Sequence, residues 1–248
     1  MIETIVHGKV TELRLSRPPV NALNMELVEA LTTAHREAVK NNAQAIVISG
    51  QDGVFSGGLD VPELLQQSRN TMTVFWDRFI VMCRTIGASR VPVVAAITGH
   101  APAGGAVIAM HCDVRIAACG DFKIGLNEVQ VGLALPEPIR QMLEFTVGRR
   151  QAALLAMQGA LLPMDKALQV GMVDELIEPP QVIPRAIEFA EGLLKLPPEA
   201  MNRTRLAAKP AFLLRDPEPS EVRTLTDNWF SDETQATMQA LVESLKSK

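Results

Sequence analysis

The sequence predicts an α/β fold in which strand–strand–helix units fill residues 1–190 and helices alone fill residues 191–248. Three observations predict it. Ala45–Ser49 and Val91–Thr98 are short and almost wholly apolar, the pattern of parallel strands buried on both faces. Two loops of small residues, Phe55–Val61 (FSGGLDV) and Gly99–Ala117 (GHAPAGGAVIAMHCDVRIA), sit where a predicted strand runs into a predicted helix. Beyond Ile177 no further strand pattern occurs, and Pro184–Lys248 reads as helices broken at Pro197-Pro198 and at Asp216-Pro217-Glu218-Pro219.

The elements follow in order. Ile2–Val6 and Val10–Leu15 alternate apolar and polar residues around His7-Gly8-Lys9, which predicts a β-hairpin. Arg17-Pro18-Pro19 ends that pattern. Asn24 is placed to cap a helix from Met25 to about Asn41, with Leu27, Ala30, Leu31 and Ala34 on one face. Gly50–Gly53 is a turn after the first buried strand. Leu59 is expected to open a helical stretch, and a second helix is expected over Met72–Ser89. Ala103–His111 is small and apolar all round, as a buried helix is. Asp113–Ala118 and Phe122–Gly125 read as strands. Pro138–Val147, Arg149–Met157 and Met164–Val170 read as helices, and Val173–Ile177 as the last strand. No sequence-level repeat accompanies these units.

Composition narrows the function. With 248 residues, 47% hydrophobic, the chain can form one large domain or a core with an appendage. The net charge of −4 lacks the basic stripe that nucleic-acid binding needs, so no nucleic-acid partner is expected. No apolar run reaches the length of a membrane span, and the N-terminus lacks a signal-peptide pattern. Three cysteines, Cys83, Cys112 and Cys119, form no C-x-x-C pair, which argues against a disulfide framework or a zinc site and for a reducing compartment. A cytoplasmic location is expected, or the mitochondrial matrix if a transit peptide has been removed.

The two loops and one carboxylate carry the chemistry. Glycine lets backbone N–H groups come close to a ligand. Two such groups facing one point would hold a developing negative oxygen. Gly57-Gly58 alone reads as a turn, but with Pro102-Ala103-Gly104-Gly105 downstream the functional reading is favoured. Glu128, in IGLNEVQVG, lies among apolar residues after a Gly-Leu-Asn turn, where a carboxylate would be partly desolvated and able to move protons. Together these parts suggest chemistry on a thioester enolate.

FSGGLD, PAGG followed by CDVRIA, IGLNEVQVG and LQVGMVDELI resemble the crotonase superfamily, the enoyl-CoA hydratase/isomerase group, and within it the mitochondrial-type Δ3,Δ2-enoyl-CoA isomerases. The resemblance runs from the first hairpin to about Ile177. It implies a spiral of ββα units with a C-terminal helical oligomerisation or lid region, and a homotrimer or a pair of trimers. It implies an acyl-CoA thioester substrate, with coenzyme A part of that substrate and no separate cofactor or metal. Carried over, the oxyanion donors are the backbone N–H groups of Leu59 and Gly104, and Glu128 moves a proton from C2 to C4.

The same resemblance places Gly57, Gly58, Leu59, Asp60, Val61, Gly104 and Ala22 at the substrate, with the Pro19–Leu23 loop on the adenine side of coenzyme A. Asp60 is read as holding its loop, and His100 and His111 as structural. Lys209 is read as a solvated lysine or as a contact to a coenzyme A phosphate. The hydratases carry a further glutamate three residues after the oxyanion glycine. Here that position is Val107, which cannot orient water, and this favours an isomerase. Glu137, in LALPEPIRQ, reads first as a helix N-terminal acid favoured by the macrodipole. Facing the pocket, it would instead make a two-acid site. The other readings are another crotonase reaction, such as dienoyl-CoA isomerisation, hydration or thioester hydrolysis, and a non-catalytic acyl-CoA-binding protein. The eleven methionines suit either an adaptable acyl pocket or ordinary core filling.

Overall fold

The structure, a computed structural model, describes residues 1–215 and 218–246. Asp216 and Pro217 of the second expected break, and Ser247-Lys248, lie outside the described residues. The strands are β1 (Ile2–His7), β2 (Val10–Leu15), β3 (Ala45–Ser49), β4 (Gly53–Val54), β5 (Val93–Ile97), β6 (Gly99–Pro102), β7 (Val114–Ala118), β8 (Lys123–Gly125), β9 (Leu161–Pro163) and β10 (Glu175–Ile177). The helices are α1 (Met25–Lys40), α2 (Val61–Leu64), α3 (Arg69–Gly87), α4 (Gly104–His111), α5 (Glu137–Val147), α6 (Arg149–Gln158), α7 (Met164–Gln169), α8 (Val182–Leu193), α9 (Pro198–Ala207), α10 (Pro219–Trp229) and α11 (Asp232–Lys246).

Among the described residues two sheets form. The larger has the order β1-β2-β3-β5-β7-β10, parallel except for the β1–β2 hairpin. The smaller has the order β4-β6-β8-β9, and its first three strands are parallel. The pairs β3–β4, β5–β6 and β7–β8 each put one strand in the large sheet and the next in the small one. A helix then returns the chain. This is the ββα spiral expected from the sequence.

Alternation along the large-sheet strands explains why they read as wholly apolar. Ile46, Ile48, Val93 and Ala95 face the main core beside Leu27 and Leu31 of α1 and Phe75 of α3. Ala45, Val47, Val94, Ala96, Ile116 and Ala118 face the other way, against Val182, Ala186 and Ala190 of α8. Both faces are dry, so each position needs an apolar residue, and each fully buried Val or Ile contributes roughly 1.5–3 kcal/mol. Position 190 thus falls within α8, a helix packed on the sheet.

Helix ends follow their caps. The Asn24 side chain accepts from Leu27 N at 3.0 Å and starts α1 at Met25. The Ser68 hydroxyl accepts from Thr71 N at 3.1 Å, so α3 begins at Arg69, three residues before the expected Met72. Leu59 does not open a helix. It forms an isolated parallel bridge with Leu23, and the Asp60 carboxylate caps α2, which starts at Val61. Strands β4, β6 and β9 are not among those the sequence predicts, and β4 begins in what reads as the Gly50–Gly53 turn.

The C-terminal helices return to the core. Trp229 of α10 is fully buried and meets Trp76 of α3 edge-on at 5.8 Å between ring centroids. Arg84 of α3 pairs with Glu221 at 3.1 Å. Helix α11 packs on both α2 and the 3₁₀ turn Glu128–Val131, where the Thr234 hydroxyl donates to the Gly132 carbonyl. Among the described residues no helix is long and apolar enough to cross a membrane.

Lys209 is neither solvated nor free to reach a phosphate. Its Nζ lies 2.7 Å from Asp113 Oδ1, and its side chain is 5% exposed. Asp113 also pairs with Arg205 at 3.1 Å and accepts from Val93 N at 2.8 Å. One carboxylate therefore ties the end of α9 to the start of β5. Removing it strands two buried cations, and breaking such a pair costs about 3–5 kcal/mol. Asp113→Ala is expected to lower the denaturant midpoint accordingly. Loss below about 1 kcal/mol in equilibrium unfolding would show that the cluster is not structural.

Candidate active site

Three parallel strands of the small sheet end at one edge, and each hands over to one part of the site. Gly53↔Gly99 and Val54↔His100 align β4 with β6, and Ala101↔Ile124 and Pro102↔Gly125 align β6 with β8. Beyond β4 comes the Phe55–Leu59 loop. Beyond β6 come Ala103 and Gly104, and beyond β8 come Leu126, Asn127 and Glu128. Ala103 N donates to Gly125 O at 2.8 Å, so the pairing continues one step past the strands.

The first loop is held so that one amide stays open. Gly57 N donates to Val20 O at 2.7 Å, Gly58 N to Ser56 Oγ at 3.2 Å, and Asp60 N to Leu23 O at 3.0 Å. Leu59 N, between them, has no acceptor among the described residues. Gly104 N is the first amide of α4, where no intrahelical acceptor exists, and Ala103 offers no capping side chain. These two open amides are neighbours. A Cβ built on Gly58 would stand 3.3 Å from Gly104 N, and one built on Gly104 would stand 3.6 Å from the carbonyl carbon that bears Leu59 N. Gly58 has φ +84°, and its imagined Cβ would also meet Ala103 Cβ at 3.0 Å, so glycine is required there on both counts. Ala103 has φ +46°, a left-handed conformation that costs an L-residue of order 1–3 kcal/mol and recurs where backbone is held for function. Gly105 lets α4 start against the loop, since a Cβ there would meet Ser56 O at 2.5 Å.

Glu128 opens the 3₁₀ turn and is 9% exposed. Its Oε2 is buried with no hydrogen-bond partner among the described residues, as is the neighbouring Asn127 Oδ1. Burial pushes the Glu128 carboxyl up to about 7, partly offset by its own backbone N–H. A buried carboxyl with a pKa near 7, at the same sheet edge as two unpaired amide donors, has the chemistry to take and return a proton while an oxygen becomes negative.

The other expected residues take several parts. Asp60 Oδ1 caps α2 by accepting from Glu63 N at 3.1 Å, and Oδ2 pairs with Arg17 at 2.7 Å. It holds the loop, as expected. Val61 is half-buried at the start of α2, and Gly57 packs on Val20. Ala22, in the expected adenine-side loop, accepts from Arg17 Nη1 at 3.0 Å through its carbonyl. Val107 is buried in the first turn of α4. Glu137 is exposed in the first turn of α5, where Oε2 accepts from Arg140 Nε at 2.8 Å and Oε1 from Gln141 at 2.7 Å. Those bonds, led by Arg140, hold its carboxyl below the usual range in the first turn of the helix. His111 Nδ1 contacts Val107 O at 2.7 Å inside the core, and His100 Nδ1 accepts from Lys123 N. Of the methionines, Met72, Met82, Met110, Met142, Met164, Met172 and Met238 are buried in the main core. Sequence reasoning missed Arg17, Asn21 and Ser56, whose side chains reach into the first loop.

The chain is similar to known proteins. The family model described as enoyl-CoA hydratase/isomerase matches residues 6–248. The mitochondrial enoyl-CoA delta isomerase 1 of Homo sapiens is 30% identical over all of this chain and 84% of its own length. A probable enoyl-CoA hydratase of Mycobacterium tuberculosis is 28% identical over 83% of this chain and 79% of its own. The crystal structure of the human mitochondrial Δ3,Δ2-enoyl-CoA isomerase superposes with a TM-score of 0.95 at 29% identity, covering 99% of this chain and 98% of that one.

The raised Glu128 carboxyl has a consequence for stability. Its folded pKa lies above the unfolded value, so the folded state binds the proton more tightly, and stability falls as pH rises from about 4.5 through 7. Glu128→Gln is therefore expected to stabilise the protein at pH 8 by about 3 kcal/mol and to change it little at pH 4.5. Denaturant unfolding at the two pH values checks this, and equal effects at both would refute the burial of a charge.

Proposed function

The chain belongs to the enoyl-CoA hydratase/isomerase family of the crotonase superfamily, and we propose that its reaction is the conversion of a 3-enoyl-CoA to the trans-2-enoyl-CoA. The observation that carries the reading is Glu128. Its Oε2 is buried and unpartnered among the described residues, at the sheet edge that also presents the open Leu59 and Gly104 amides.

The steps follow from those groups. An acyl-CoA thioester oxygen placed between the two amides draws electron density from C1 and acidifies the C2 protons. The Glu128 carboxylate takes one C2 proton. The electrons of that C–H bond form the C2=C1 bond of a dienolate, whose oxygen carries the charge. One oxyanion donor is typically worth about 3–4 kcal/mol of barrier. The protonated Glu128 then gives the proton to C4. The C3=C4 double bond becomes C2=C3, and the thioester carbonyl reforms. No water enters the product. A hydratase needs a second carboxylate to orient water, and the position where relatives of that type carry one is Val107. The buried, desolvated base counts against a non-catalytic binding protein, because an unpaired buried carboxyl costs stability without serving the fold.

The rest of the reading comes by similarity. Coenzyme A enters as part of the substrate, and a base with two amide donors asks for no further cofactor. A trimer or pair of trimers and a place in fatty acid β-oxidation accompany it. The location read from the sequence is the cytoplasm, or the mitochondrial matrix if a transit peptide has been removed, and the similar human enzyme is mitochondrial.

Three expected outcomes test the proposal. With 3-hexenoyl-CoA and 3-decenoyl-CoA, the protein should produce conjugated enoyl thioester absorbance, while crotonyl-CoA should show no hydration. Glu128→Ala should lower turnover about 10²–10⁴-fold and retain acyl-CoA binding. Hydration without conjugation, or an unaffected variant, would overturn the assignment. The rate should also rise with pH to a plateau, with its midpoint near 7, since the reaction starts from the ionised carboxylate. A midpoint near that of an ordinary glutamate would mean that another group is the base.

A further inference from the structure

The amide of Leu59 stays open while the neighbouring amides of Gly57, Gly58 and Asp60 are tied, and those ties lead to the segment 20–23, directly or through the Ser56 hydroxyl. Asn21 is fully buried and has φ +51°, a left-handed conformation that asparagine tolerates better than most L-residues. Its Nδ2 donates to Phe55 O at 3.0 Å. Its Oδ1 accepts from Arg17 N at 2.8 Å and from Gln51 Nε2 at 3.2 Å. Its backbone carbonyl accepts from the Ser56 hydroxyl at 2.8 Å, and the same hydroxyl accepts from Gly58 N. Phe55 and Ser56 are the first residues of the loop, and both are buried. On either side, Val20 O and Leu23 O take the amides of Gly57 and Asp60, and Leu23 N donates to Gly58 O at 2.7 Å. The segment 20–23 therefore clamps the loop at Phe55, Gly57, Gly58 and Asp60, and Asn21 is the side chain that fixes the clamp's own shape.

We infer that Asn21, acting through Ser56, is a positioning residue for the reaction: it aims the Leu59 amide at the thioester oxygen. Neither side chain touches the substrate. The inference rests on the reading of Leu59 and Gly104 as oxyanion donors. Its physical basis is that a hydrogen bond weakens steeply with misalignment, and that a displacement of about 1 Å at a reacting centre can cost about a hundredfold in rate. The glycine pair has no side chains with which to hold itself, so its direction is set by bonds from outside the pair.

The test reads the carbonyl directly and needs no turnover. Hexanoyl-CoA labelled with ¹³C at the thioester carbonyl cannot isomerise. Bound to wild-type protein, its infrared C=O stretch should shift to lower frequency, because two amides polarise it. Asn21→Gly keeps the left-handed backbone and removes the side-chain bonds. Ser56→Ala removes one hydroxyl and carries the test alone should the first variant not fold. In either folded variant the shift should fall by at least half, kcat for 3-hexenoyl-CoA should fall about 10–100-fold, and KM should stay within about twofold. The midpoint of the pH–rate profile should not move, since Glu128 is untouched. A variant that is less stable in thermal unfolding yet keeps the full carbonyl shift and kcat would make Asn21 purely structural and overturn the inference. Absence of any shift in wild-type protein would overturn the oxyanion reading itself, and the inference with it.

Discussion

The parallel pairing of β4, β6 and β8 is the constraint on which the site depends. It brings three chain segments that are far apart in sequence to one sheet edge, and each ends in a functional group. The approach is close enough that a Cβ on Gly99 would stand 2.0 Å from the Gly53 carbonyl carbon. Only a residue without a side chain allows it. Once the strands are in register, the Leu59 loop, the start of α4 and the Glu128 turn have little freedom left. Helix α11 then packs across two of them, on α2 and on the Glu128 turn.

The site gives up stability in several places. Glu128 Oε2 is buried without a partner, the Leu59 amide is left open, and Ala103 adopts a conformation unusual for an L-residue. Each of these costs free energy in the folded state. The same features are what the proposed chemistry asks for. A solvated carboxylate would be too weak a base near neutrality, and amides already bonded to protein could not hold an oxyanion. The surrounding structure meets these costs through a dry core on both faces of the large sheet and through buried ion pairs such as Asp113 with Lys209 and Arg205.

The sequence makes local features legible and distant ones opaque. Asn24 signals the start of α1 because a cap acts within one turn. The apolar segments Ala45–Ser49 and Val91–Thr98 are read as buried strands because both of their faces are covered. The glycine loops and Glu128 stand out because glycine pairs and a carboxylate among apolar residues are rare combinations. Strand β6 escapes notice since Gly-His-Ala-Pro has neither the length nor the β-branched residues of a strand, and pairing with β4 and β8 creates it. Leu59 is misread as a helix start because Asp60 is the better cap. Lys209 looks solvated because Asp113, its partner, is remote in sequence. The role of Asn21 is hidden for the same reason: its contacts to Phe55 and Ser56 exist only after folding.

The central claim is that a single carboxylate carries the proton from C2 to C4. A 3-enoyl-CoA deuterated at C2, turned over in ordinary water, tests it most directly when the product is followed by NMR at low conversion. The account predicts substantial deuterium at C4, because the buried Glu128 returns the label it removed before solvent exchanges it. Product carrying only solvent hydrogen at C4 would mean that a second group delivers the proton, and would contradict the single-base site.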